Sequence, residues 1–223
     1  MSLYKMSINQ IADFSEASEA KKRQLIKQQQ NPNKFLIPWY QLAKARMRKS
    51  LANKGDLRPV YDAIETLINR VPENNRQEID KRVSQEALDR FIKMNISKLL
   101  GKYEYQSFKP EQKSVIISGV EIIIAPDVVI RAEIEGQTYL GGVKLHVAKG
   151  NQFNLHKSRI VSFLVYKYLL TIASDGEKVL PELCFSIDIF AGRIMPSDKE
   201  DSDLLNQELR ELCEEIKYLW NDV

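Results

Sequence analysis

Apolar residues recur at three- and four-residue steps through the first hundred residues, and the period shortens after Gly101. The first pattern predicts helices. One covers 15–30, with Ser15 or Ser18 as its cap and Asn31-Pro32-Asn33 as its stop. A second, "PWYQLAKARMRKSLANKG", opens with Pro38 in its first turn and closes at Gly55. Asp56 is placed to cap a third, whose stripe is Val60, Ile64, Leu67, Ile68 and Val71. A fourth, over 75–100, carries Ile79, Val83, Leu88, Phe91, Ile92 and Leu99.

After Gly101, "SVIISGVEIIIAP" (114–126), "DVVIRAEIEG" (127–136) and "QTYLGGVKLHVAK" (137–149) are rich in β-branched residues and end at turn residues. They predict three strands, with a tight hairpin at Glu135-Gly136-Gln137. A largely buried helix over 155–174, a strand over 180–195 and a closing amphipathic helix follow. The closing helix has Leu205, Leu209, Leu212, Ile216, Leu219 and Trp220 as its stripe. Helices first, then strand–strand–strand–helix–strand–helix, predict an α+β fold: an α/β/α sandwich with a mixed central sheet. The chain divides into a helical, basic N-terminal region, 1–72, and an α/β core with its C-terminal helix, 73–223.

Alternation along the strands sorts the polar groups. Val128, Ile130, Ala132 and Ile134 share the face expected to be buried, with Asp127, Val129, Arg131, Glu133 and Glu135 on the other. On the next strand Gly142, Lys144 and His146 share a face. Asp127, Lys144 and His146 are therefore expected on one side of the sheet. Gly141-Gly142 within that strand predicts a bulge or a close approach.

Composition changes this picture little. With 43% apolar and 28% charged residues, the chain is that of an ordinary globular protein. No apolar run approaches the ~20 residues of a membrane span, and the N-terminus has no apolar signal core. Cys184 and Cys213 are too few for a disulfide framework and have no metal-type spacing, which predicts a cytosolic protein with free, buried thiols. Charge is more telling. Residues 1–60 hold 12 Lys/Arg and 4 Asp/Glu, whereas 198–223 hold 3 and 9. The stretch 136–174 has 5 Lys/Arg, both histidines and no acid. Such asymmetry fits a polyanionic partner, or a basic N-terminal region packed against an acidic C-terminal helix.

Pro126-Asp127 at the second strand, Lys144 on the third and the element order around them resemble the PD-(D/E)XK nuclease superfamily, which has the restriction-endonuclease-like fold. The resemblance covers about residues 75–195. It implies a core of helix, three-stranded meander (114–149), helix and strand. It also implies a divalent cation, Mg²⁺ or Mn²⁺, held by acidic residues, with a lysine to position or activate water. The sequence departs from the motif at Gly142, where the family has its second acidic residue.

The resemblance makes Asp127, Lys144, Glu86 and His146 the candidate catalytic residues, and Asp127, Glu86 and Glu121 the candidate metal ligands. Glu133 is on the right strand but two pleats away. Metal-assisted phosphodiester hydrolysis needs such oxygen ligands to converge. Trp39, Tyr40, Lys44, Arg46, Arg48 and Lys49 on the second helix, with Lys149, Lys157 and Arg159, are the candidate contacts to DNA or RNA, by phosphate pairing and base stacking. His146 and His156 lack the third ligand a zinc site needs. No Walker loop, GxGxxG or nucleophile motif is present. The expectation is a nucleic-acid-associated protein with a nuclease-like core, tilted by Gly142 toward a degenerate, non-cleaving form. The alternative is a binding or regulatory subunit, acting with a protein partner or as a homo-oligomer.

Overall fold

The computed structural model describes residues 4–32, 38–101, 103–200 and 202–222. Asn33 of the expected helix stop lies outside them. The fold is α+β, with helices on both faces of a five-stranded mixed sheet and a second, smaller mixed sheet beside it.

The N-terminal region contains a strand that helical periodicity did not predict. β1 (Tyr4–Ser7) runs parallel to β4 (Val120–Ile123), and β3 (Ser114–Ile117) completes that three-stranded sheet. Next come α1 (Ile8–Ser15), capped by Ser7, and α2 (Glu19–Gln30), capped by Ser18. Then come α3 (Gln41–Ala52), α4 (Arg58–Asn69) and α5 (Asn75–Lys93). The long fourth helix expected over 75–100 breaks at Asn95, where φ is 56°, and resumes as the short α6 (Ile96–Leu100). Asparagine tolerates that left-handed conformation better than most residues.

The large sheet has the order β2 (Tyr105–Phe108), β5 (Val128–Ile134), β6 (Gln137–His146), β7 (Lys178–Asp188), β8 (Arg193–Pro196). β5 is antiparallel to both of its neighbours, β2 and β6, and α7 (Leu155–Ile172) crosses over to place β7 parallel to β6. Two expectations are corrected. The run 114–126 is not the first strand of this meander. It folds at Ser118-Gly119 (φ 46° and 83°) into the β3–β4 hairpin of the other sheet, and β2 takes its place beside β5. The strand expected over 180–195 is two strands, turned between Asp188 and Arg193. The Glu135-Gly136 hairpin turn is present, with φ of 51° and 75°.

Both faces of the large sheet are buried. Val128, Ile130, Val143, Leu145 and Leu183 pack with α3, α4 and α5. Val129 and Cys184 pack on the other side with α1, α2, α7 and the closing helix α8 (Ser202–Asp222). The face expected to be polar is therefore a second core around Val129. Gly141 is required by close approach: a Cβ there would lie 2.6 Å from Leu183 Cβ, and the β6–β7 register shifts at this point. Each core draws on elements from both sides of residue 72.

Among the described residues, the opposite charges of the two ends meet on one helix, α2. Lys22 and Arg23 of α2 pair with Glu215 and Asp222 of α8, at 2.7 and 2.6 Å. Among the described residues, Lys44, Arg46 and Lys49 of α3 form no ion pair with the neighbouring α4 and α5. On α4, Val60, Ala63 and Leu67 face the core, while Ile68 and Val71 of the expected stripe are exposed. Lys81 takes the carbonyls of Ile68 and Arg70 as the helix ends.

Candidate functional site

Asp127 stands at a bent entry to β5. The chain leaves β4, turns at Ala125 (φ 39°) and passes through Pro126. A non-glycine residue at such an angle is strained and needs its surroundings to hold it. The backbone amides of Ile124 and Ala125 both donate to the Lys113 carbonyl, and the Lys144 ammonium donates to the carbonyls of Ile124 and Ala125 at 2.8 Å each. Lys144 therefore clamps the turn that delivers Asp127.

Both oxygens of the Asp127 carboxylate are engaged. Oδ2 accepts from the Leu145 amide at 2.7 Å, and Oδ1 accepts from Arg48 Nε at 2.6 Å. Its side chain is 1% exposed, whereas that of Arg48 is 49% exposed. Cations crowd this carboxylate. Burial holds the Lys144 ammonium below its usual pKa; Asp127 opposes that shift, and Lys44 and Arg48 add to it. The neighbourhood thus sets three cations against one carboxylate, which favours an anion over a metal ion.

The candidate metal ligands do not come together. Glu86 on α5 pairs with Lys149 at 2.6 Å and with Arg90, and the Lys149 hydrogen bond chiefly holds its pKa down. Glu121 is on β4, in the other sheet, paired with Lys5 at 3.1 Å. Burial pushes the Glu121 pKa up, but Lys5 and Ser114 outweigh it and the net shift is downward. Glu133 is exposed farther along β5. Among the described residues no three His, Cys, Asp or Glu side chains are grouped to hold a metal ion. A Cβ on Gly142 would meet Val165 Cγ1 at 3.1 Å and Leu169 Cδ1 at 3.2 Å, so that position looks into the apolar underside of α7. These residues do not fit a Mg²⁺ or Mn²⁺ ion bound by converging carboxylates.

His146 belongs to a different, buried polar layer. Its ring stacks on Phe153 at 3.6 Å, and its Nε2 lies 2.5 Å from the Asn151 carbonyl. A carbonyl only accepts, so Nε2 carries the proton. Burial lowers the His146 pKa; the Asn151 carbonyl, Asp188 and Asp13 oppose the shift, and Lys44 reinforces it. Asp188, paired in register with His146, accepts from the amides of Phe153 and Ala191. Asp13 holds Asn151 and Lys157. Sequence reasoning missed Asp13 and Asp188. An acid inside the apolar run "CFSIDIF" was the available signal for the second.

The candidate nucleic-acid contacts separate into two groups. Lys44, Arg46, Arg48 and Lys49 lie together on α3, and Lys44, Arg46 and Lys49 have no ion pair among the described residues. Trp39 is 40% exposed just before α3. Tyr40 is corrected: it is largely buried against Phe190, with its amide on Asp80, and only its edge reaches the recess beside Trp39. Lys149 and Lys157 are taken by Glu86 and Asp13. Arg159 lines a separate cleft with Glu182 and Asp198. Around Pro126-Asp127 a cleft of about 430 Å³ is lined by Arg48, Lys109, Lys113 and Tyr168. Lys109 and Lys113, also without an ion pair among the described residues, were overlooked because "FKPEQK" lies between strands and carries no motif.

Among the described residues, no helix is long and apolar enough to cross a membrane. No family model matches the chain, and no curated protein is similar to it.

Proposed function

We propose that this protein binds nucleic acid along the cleft between α3 and the Pro126-Asp127 turn, and holds the phosphodiester backbone without cutting it. One observation carries the reading: the Arg48 guanidinium sits on Asp127 where a catalytic metal would be needed, in a cleft whose Lys109 and Lys113 have no ion pair among the described residues. Arginine neutralises the carboxylate permanently, and its exposed half still presents a donor to a phosphate. Lys44, one turn before Arg48 on the same face of α3, extends that surface, with Arg46 and Lys49 farther round the helix, apart from the α2–α8 charge pairing.

The order β2–β5–β6, then α7, then a parallel β7 supports the likeness to a nuclease core. On this reading the scaffold keeps the backbone-binding geometry, and the chemistry has lapsed with Gly142. The test is anisotropy of a labelled oligonucleotide in EDTA, then gel analysis of the same sample after adding Mg²⁺ or Mn²⁺. Binding without metal and an intact oligonucleotide with it are expected. Absence of binding, or Asp127-dependent cleavage, would refute the reading.

A second reading, a subunit that assembles with a protein partner or with itself, is favoured by exposed Tyr61 and Ile68 on α4 and Val71 just beyond it. Light scattering on the purified chain tests it. A monomer at every concentration removes self-association.

A further inference from the structure

Trp39 is held outward by a strained junction. Tyr40, which follows it, is left-handed at φ 59° and ψ 24°. That conformation is costly for an aromatic residue and persists only when overdetermined. Here the Tyr40 amide donates to Asp80 Oδ1 at 3.0 Å, and the ring packs 5.7 Å from Phe190. Burying Tyr40 this way leaves the preceding indole at the surface, between two clefts.

The two sides of the indole differ. On one, Arg76 lies over the ring at 5.2 Å and lines a cleft of about 460 Å³ together with Arg70 and Asp80. On the other is an open recess of about 340 Å³, lined by Tyr40, Ile79, Val83, Ala148 and the ammonium-bearing Lys149, where no guanidinium is present among the described residues. An open, mostly apolar recess of this size beside an aromatic ring suits a planar heterocycle, and the Lys149 at its edge suits the phosphate that follows. Trp39 also stands just before α3, whose first residue, Gln41, is about 10 Å from Arg48 at helical rise, a reach of a few nucleotides.

We infer that the partner is a single-stranded nucleic acid, DNA or RNA, with one base stacked on Trp39 while its backbone follows Lys44 and Arg48 into the Asp127 cleft. This rests on the proposed nucleic-acid function and names its substrate class. A base can reach Trp39 only when it is out of a helical stack. A duplex would have to flip a nucleotide, at a cost that an already unpaired strand avoids. Stacking on an aromatic platform beside a basic track is the usual means of holding single strands without reading sequence.

The chain has two tryptophans, so a Trp220→Phe protein reports from Trp39 alone. Trp220 packs edge-on to Tyr4 at the far end of α8, remote in the fold from α3. Oligo(dT), oligo(U) and a duplex of equal length are titrated in EDTA, following Trp39 emission and, separately, anisotropy of a labelled strand. The single strands should quench Trp39 at the same midpoint as the anisotropy change, and the duplex should not. Comparing the dT and U arms says which backbone is preferred. Trp39→Ala should weaken single-strand binding about 5- to 150-fold and leave its salt dependence unchanged. Trp39→Phe should recover part of the loss. If anisotropy shows binding while Trp39 emission and Trp39→Ala affinity do not respond, or if duplex quenches equally, this inference is wrong and the proposed function survives. If no oligonucleotide binds at low salt, both fall.

Discussion

Arg48 Nε and Asp127 Oδ1 lie 2.6 Å apart across 79 residues of sequence, joining α3 to the strand entry that a nuclease would use for its metal. The carboxylate is buried and the guanidinium is half exposed, so the pair anchors α3 while leaving a cation at the cleft mouth.

Removing either partner should therefore show in stability. Arg48→Ala is expected to cost about 1–2 kcal/mol, below the roughly 3–5 kcal/mol for a fully buried pair, because water reaches Arg48. Asp127→Asn keeps an acceptor for the Leu145 amide and should cost less than Asp127→Ala. Urea denaturation of both singles and of Arg48→Ala/Asp127→Asn gives the coupling. A coupling near zero would mean that the pair contributes nothing to folding.

Restoring the missing acid should not restore a nuclease. Gly142→Asp puts a carboxylate among Val165 and Leu169, so a loss of about 3 kcal/mol or more is expected. Neither Mg²⁺ nor Mn²⁺ should raise its melting temperature. A metal-dependent rise that Asp127→Ala abolishes would show that a site can still assemble there.

Lys144 acts on the turn rather than on a ligand. Lys144→Met frees the carbonyls of Ile124 and Ala125 and should cost about 2–4 kcal/mol. Oligonucleotide affinity of the folded protein should fall less than in Lys44→Ala. The reverse order of affinities would make Lys144 a direct contact.

The His146 layer sets a pH dependence. Its folded pKa is below 6.5, so the unfolded chain takes up a proton that the folded chain resists. The associated stability is full above 6.5 and is lost as the pH falls from 6.5 through the lower folded value. One such group cannot exceed about 1.4 kcal/mol per pH unit. Denaturation midpoints of wild type and His146→Phe should diverge over that range. Parallel profiles would assign the acid limb to other groups.

Much of this architecture is legible in the sequence, and the failures are physical. The buried α7, the α8 stripe, the Glu135-Gly136 turn and the close approach at Gly141 follow from apolar pattern and glycine. The β3–β4 hairpin was hidden because Ser118-Gly119 interrupts an otherwise continuous apolar run. β1 was hidden because four residues carry too little pattern to distinguish a strand from a helix start. The polar face assigned to β5 was wrong at Val129 because sheet alternation does not reveal that helices cover both sides. Asp127 and Lys144 were found as a pair. The role of Arg48 was not, since a contact between α3 and a distant strand leaves no mark in local sequence.

The salt dependence of oligonucleotide binding in EDTA tests the central claim most directly. Each phosphate-pairing cation removed should lower the slope of log affinity against log salt by about 0.7–0.9. Wild type should bind at about 50 mM salt and weaken steeply by about 200 mM, and Lys44→Ala/Arg46→Ala/Lys49→Ala should show a shallower slope and weaker binding with an unchanged melting temperature. An unchanged slope in the triple variant, or no binding by wild type at the lower salt, would contradict a nucleic-acid surface on α3.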